Sequence, residues 1–104
     1  MTQQLELLSS TDADRTVILT AILTAARTNG GVVSANDYRE AIRGRVHPKH
    51  VGLVTKELIR RKILHVRDMA VRSNDEIGGN RGRLIDTYRC DLPALTALIA
   101  EGER

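Results

Sequence analysis

Three groups of residues in this chain have types and spacings that could do chemistry. The first is "HPKH", where His47 and His50 stand three apart and could in principle share a metal ion with His65 and Cys90. Zinc sites usually bring a close pair of ligands to each end of a loop. Only one such pair exists here, and no metal site is expected. The second group is acidic. Asp37 and Glu40 sit in a helix-start context, and no nucleophile is accompanied by a base and an orienting group at recognisable spacing. "GGNRG" lacks the lysine and Ser/Thr of a phosphate-binding loop and lies between strand-like segments rather than before a helix. Neither an enzyme nor a cofactor is expected. The third group is basic. At about 100° per residue, Lys49, Leu53, Lys56 and Arg60 fall within a narrow stripe of one helix, and Val51, Val54 and Leu58 lie roughly opposite. A helix so built buries one face and offers cations to an anion from the other.

The charge of the whole chain agrees with that reading. Its net charge is +3 over 104 residues, a length that suits one domain. From Arg43 to Cys90 there are twelve Lys/Arg against five Asp/Glu, and the remaining residues carry four basic and eight acidic groups. Segregation of this kind favours a polyanionic partner over a uniformly solubilised surface. Hydrophobic residues make up 41%, but Phe and Trp are absent and Tyr38 and Tyr88 are the only aromatics, so the core must be aliphatic. Scarce rings weigh against RNA-binding sheets and single-strand grooves, where bases stack on exposed aromatics. The single cysteine, Cys90, has no internal partner, nothing resembles a signal peptide, and the apolar stretches are far shorter than the roughly 20 residues that cross a bilayer. A soluble cytoplasmic protein is expected.

The elements that must position the basic stripe can be read in order. Residues 1–10 form an N-terminal arm, loose or a short docking helix. A helix follows from about Asp12 to Thr28, capped by Thr11 or Asp12, with Ile18, Ile22, Ala25 and Ala26 at helical spacing, and Asn29-Gly30-Gly31 ends it. Val32 and Val33 make a bridging strand. Ser34, with Asp37 three residues on, starts a two-turn helix that carries Tyr38, Ala41 and Ile42 and stops at Gly44. The third helix runs from Pro48 to about Arg61, with His47 as its cap and Val46 and Val51 as a hydrophobic staple. "ILHVRDMAVRS" and "RLIDTYRC" are β-rich and flank "NDEIGGNRG", as the arms of a hairpin flank its loop. An amphipathic helix from about Leu92 to Glu101 closes the chain, with a short tail, over residues 91–104.

A short helix, a tight turn and a second helix of this kind form a helix-turn-helix arrangement. In that order of elements, residues 11–90 resemble a winged helix-turn-helix DNA-binding domain of the type found in small bacterial or phage regulators, most closely over Asp12 to Cys90. "TKELIRRKIL" resembles the stretch where such a domain's recognition helix ends and its wing begins. "GGNRGRLIDTYRC" resembles the wing tip and returning strand. Many members have a Gly near the end of the third helix, where this chain has "RRK". The resemblance implies an α+β, mostly helical fold: a three-helix core with a short strand, a two-stranded wing and a C-terminal helix. It also implies sequence-specific binding of double-stranded DNA in transcription regulation.

The residues expected at such an interface are Lys49, His50, Leu53, Lys56 and Arg60 on the helix, and Asn80, Arg81 and Arg83 in or beside the wing. Gly52 would allow close backbone approach. Arg61 and Lys62 point off the stripe and read as solvated charges. A homodimer is expected, with Leu92, Leu95, Leu98 and Ile99, and Leu5 and Leu8 with them, as its surface. The alternative is that this last helix packs back on the first helix of its own chain. The competing function is a winged-helix protein-interaction subunit of a replication, repair or phage-encoded inhibitory complex, whose basic face meets an acidic protein.

Overall fold

The chain opens with one long helix, α1 (Thr2–Thr28), and not with an arm followed by a cap at Thr11 or Asp12. Residues 2–28 contain no Gly or Pro, so the weak preference of Ser, Thr and Asp for capping positions yields to continuation of the helix. The computed structural model describes the backbone of residues 2–74 and 82–102, and the side chains of residues 13–74 and 82–101. α1 stops where expected: Gly31 donates its N–H to the Ala26 carbonyl at 2.7 Å, and Gly30 and Gly31 take φ of 68° and 91°, which favour glycine.

There follow β1 (Val32–Ser34), α2 (Ala35–Ile42), α3 (Pro48–Arg60), β2 (Leu64–Arg72), β3 (Leu84–Cys90) and α4 (Leu92–Gly102). The fold is thus α+β and mostly helical, with a three-stranded antiparallel sheet in the order β1-β3-β2 among the described residues. Local chemistry accounts for the helix starts. The Asp37 carboxylate accepts the Ser34 backbone N–H at 2.7 Å, closing the start of α2. His47 Nδ1 accepts the Lys49 N–H at 3.2 Å, Pro48 opens α3, and Val46 and Val51 lie half-buried against the core as a staple would.

The end of α3 has a sharper requirement. Ile63 donates its N–H to the Leu58 carbonyl at 2.9 Å and Lys62 donates to that of Ile59 at 3.0 Å, the paired bonds of a Schellman motif. The motif needs a left-handed residue between them. That residue is Lys62, at φ 62°, the only positive-φ residue other than glycine among those described. Burial of Leu58 and Ile63 beneath the turn holds it there. "RRK" therefore makes the turn that a glycine ordinarily makes, at a local conformational cost.

Inside, Ile18, Leu19 and Ile22 of α1 meet Leu58, Leu64 and Leu95, all shut off from solvent. α4 lies against α1 and buries Leu95 and Leu98 in that same core. These two leucines are not available as the expected dimer surface, and Leu92 and Ile99 also pack against the core. The side chains of Leu5 and Leu8 lie outside the described residues. No described helix is long and apolar enough to cross a membrane.

β2 and β3 form the expected hairpin, but not a regular one. Val66 pairs with Tyr88 and Ala70 with Asp86, so Arg67, Asp68 and Met69 stand opposite Thr87 alone. The Thr87 hydroxyl donates to the Met69 carbonyl and receives the Arg67 guanidinium at 3.5 Å. A bulge of this kind bends a ribbon and increases its twist.

Lys62→Gly should relieve the left-handed strain at the end of α3. The expected gain is about 0.5–1 kcal/mol, partly offset by the freer unfolded chain, or a few degrees in the thermal midpoint. A lowered midpoint in a calorimetric scan would show that the Lys62 side chain makes contacts worth more than the strain.

Candidate nucleic-acid interface

What α3 can present depends on how it is rolled, and three sets of contacts set that roll. Val54 and Leu58 are buried on its inner side. Asp14 of α1 reaches its N-terminus, where one carboxylate oxygen accepts the His47 backbone N–H at 2.9 Å and meets His50 Nδ1 at 2.5 Å. The next residue along α1, Arg15, grips Glu57 with two bonds, from Nε at 3.2 Å and from its terminal nitrogen at 2.7 Å. Glu57 also takes Arg61 at 2.9 Å. These contacts hold both carboxyls below their usual range. For Asp14 the main cause is the His47 N–H, followed by the hydrogen bond from His50. For Glu57 it is the hydrogen bonding from Arg15.

With α3 held so, Lys49, Leu53, Lys56 and Arg60 are all exposed. Leu53 keeps 61% of its surface in water although it is a large apolar residue. Among the described residues no carboxylate pairs with Lys49, Lys56 or Arg60, whereas Arg15 and Arg61 are paired. His50 departs from the expectation: it lies about a quarter turn off the stripe, partly buried, with its Nδ1 engaged by Asp14. The structure uses it to fasten α3 to α1.

Beside α3 runs the bent hairpin. Arg83 is exposed at its loop end, while Asn80 and Arg81 fall outside the described residues. Between α3 and β3 an open groove of about 540 Å³ is lined by Gly52, Thr55 and Lys56 on one wall and Leu84, Asp86 and Tyr88 on the other. Gly52 is exposed on the groove side, and a β-carbon added there would meet nothing within 4 Å. Its lack of a side chain widens the mouth of the groove and is not a packing requirement.

The other chemical groups singled out in the sequence have structural partners. Asp37 closes the start of α2, and Glu40 pairs with Arg43 at 3.5 Å. Cys90 is buried, and burial pushes its thiol up, away from thiolate chemistry. The His47 and His50 rings are 5.4 Å apart, and no cluster of three metal-ligating side chains exists among the described residues.

Sequence reasoning missed Asp14, Arg15 and Glu57 as the residues that orient α3. Asp14 and Arg15 read only as early-helix charges, and nothing in their spacing says that they meet residues more than thirty positions away. Glu57, a lone acid amid five cations from Lys49 to Lys62, was the available signal. No family model, curated protein or solved structure matches the chain.

Both carboxyls titrate below their ordinary range in the folded chain, so the stability they contribute is complete above their unfolded values, at about 4. It is lost as pH falls through the depressed folded values. Stability should therefore decline on the acid side, and Asp14→Asn with Glu57→Gln should flatten that decline while lowering the plateau near neutrality. Urea midpoints measured from neutral pH down to about pH 2.5 check this. An acid limb unchanged in the double variant would show that other groups set it.

Proposed function

We propose that the chain is a winged helix-turn-helix protein that binds double-stranded DNA in a sequence-dependent way, as a transcriptional regulator does. In this reading α3 enters the major groove, and the β2–β3 hairpin, the wing, lies on the backbone or in the neighbouring minor groove. The observation that carries the reading is the division of the cations. Arg15 and Arg61 share the Glu57 carboxylate, whereas Lys49, Lys56 and Arg60 point outward without a carboxylate among the described residues. Unpaired cations in line along one helix face suit a row of phosphates and base edges.

Each residue then has a task that its chemistry fits. Lys49, in the first turn of α3, and Lys56, one wall of the groove, donate to base acceptors or phosphates. Leu53, exposed between them, covers a thymine methyl. Arg60 and Arg83 bind phosphate at the two margins, and Asn80 and Arg81 extend the wing contact. His50 acts indirectly, through Asp14. A homodimer would set two such units on half-sites about 34 Å apart, one turn of the duplex. Leu95 and Leu98 are buried against α1 and cannot supply its contact.

One observation favours a second reading. Of the five large apolar residues that are exposed, Val66, Met69, Val71 and Leu84 all lie on the hairpin. Val66, paired with Tyr88, and Leu84, on the same side of β3 as Tyr88, share one face of the hairpin. Exposed apolar side chains on one face suit a protein surface better than a phosphate backbone, as in a subunit of a replication, repair or inhibitory complex. That contact would survive added salt and would be weakened by polar substitutions at Val66 and Leu84.

Titration of duplex DNA at increasing salt separates the two. Neutralisation of three to five phosphates gives a slope of log K against log salt of about −3 to −4.5. Lys49→Ala with Lys56→Ala should shrink the preference among duplex sequences, and Arg83→Ala should weaken all sequences alike. No binding at low salt, or a flat dependence, refutes the reading.

A further inference from the structure

The hairpin is tied down at its loop end, beyond the Arg72–Leu84 pair, by two side chains of α2 that have no part in the core. Asn36, in the first turn of that helix, bonds two backbone groups of the hairpin at once: its Nδ2 donates to the Arg72 carbonyl at 2.8 Å, and its Oδ1 accepts the Asn74 N–H at 3.0 Å. Ser73, between them, bonds the other way: its N–H goes to the Arg83 carbonyl at 2.7 Å and its carbonyl takes the Gly82 N–H at 2.8 Å. In an extended strand, neighbouring residues turn their backbone groups to opposite sides. The Asn36 carboxamide therefore fills the two positions that pairing with the other arm leaves open, as a residue of an adjacent strand would.

Arg39, one turn further along α2, reinforces the same joint. One guanidinium nitrogen lies 3.2 Å from Asn74 Oδ1 and 3.4 Å from both Ser73 Oγ and Asn36 Oδ1. Ser73 is 3% exposed although it stands at the end of a hairpin arm. Arg72, exposed, joins the two arms at that end, with its guanidinium on the Gly82 carbonyl at 2.7 Å. The far side of α2 meets α3, where the Tyr38 and Thr55 hydroxyls are 3.4 Å apart and Tyr38 is buried. A single two-turn helix thus touches both surfaces, α3 on one side and the loop end of the hairpin on the other.

We infer that Asn36 and Arg39 are positioning residues that hold the hairpin at a fixed reach from α3, so that the two surfaces engage one ligand together. The inference rests on the duplex-binding reading above and adds to it the part of the molecule that joins the two contacts. The bulge opposite Thr87 makes such a tether necessary, because it interrupts the ladder that would otherwise keep the hairpin straight. Neither residue touches the ligand in this account. Their effect appears as coupling between contacts made by others.

Two measurements on the full chain test it, using Asn36→Ala, Arg39→Met and the pair. The first is hydrogen exchange without DNA. Loss of the tether should speed exchange of the Asn74 and Gly82 amides by roughly fivefold or more, the equivalent of about one hydrogen bond, while amides of α1 and α4 stay as protected as before. Unchanged exchange at these two amides overturns the inference, and faster exchange throughout shows a structural role only and overturns it as well. The second is a cycle with Arg83→Ala on a duplex. In the intact chain, Arg83→Ala should reduce the salt slope by about 0.9, the share of one phosphate. In the Asn36→Ala, Arg39→Met background the same change should leave the slope unaltered. An equal loss in both backgrounds overturns the inference although DNA binding stands. If the unaltered chain binds no duplex, the functional reading fails, the proposed joint engagement of a duplex fails with it, and the exchange data alone decide whether the tether exists.

Discussion

The roll of α3 about its own axis is the constraint from which the rest of this molecule follows. Val54 and Leu58 supply the force, since a fully buried Leu side chain contributes about 1.5–3 kcal/mol. Asp14 and Arg15 supply direction. They are neighbours in sequence and opposite in charge, and they take hold of the two ends of α3: Asp14 at the His47 N–H and His50, Arg15 at Glu57. The Arg15–Glu57 ion pair, partly exposed, adds about 0–1 kcal/mol, much less than the apolar contact. The value of these contacts lies in geometry. A roll of one residue's angle would turn Lys56 toward the core side and lift Glu57 onto the outer face.

Glu57 has a second consequence. It stands among Lys49, Lys56, Arg60, Arg61 and Lys62, and it takes up Arg61 and Arg15 on the side facing α1. Positive charge that would otherwise surround the helix is reduced by one unit on that side and left whole on the other. The field of α3 thereby becomes directional, which a count of lysines and arginines does not reveal. Leu53, exposed at the centre of the remaining charge, and Gly52, open to the groove, give that face an apolar and sterically free strip beside its cations.

Much of the fold was legible in the sequence because it is written in local signals. The Asn29-Gly30-Gly31 stop, Ser34 with Asp37, the His47-Pro48 start and the β-rich arms around "NDEIGGNRG" each depend on residues within a few positions of one another. The exposed Lys49, Leu53, Lys56 and Arg60 followed from helical period alone. What escaped was non-local or competitive. The continuation of α1 through Thr11 and Asp12 is a contest between weak preferences that the absence of any breaker decides. His50 looked like part of the basic face until Asp14, 36 residues away, turned out to hold it. The side chains of α4 were equally suited to a second chain or to α1, and only packing chose α1. The tether of Asn36 and Arg39 left no trace in spacing, because Asn36 bonds backbone groups and Arg39 bonds side chains of a hairpin arm more than thirty residues away.

The central claim is that one outward face of α3 meets a duplex, and the amide spectrum of the protein tests it most directly. On addition of duplex DNA, the account predicts shifts concentrated at Lys49, Leu53, Lys56 and Arg60 and at the loop end of the hairpin near Arg83, with α4 and the α1 surface behind it undisturbed. Shifts centred on α4, or none at low salt with a saturating duplex, would contradict it.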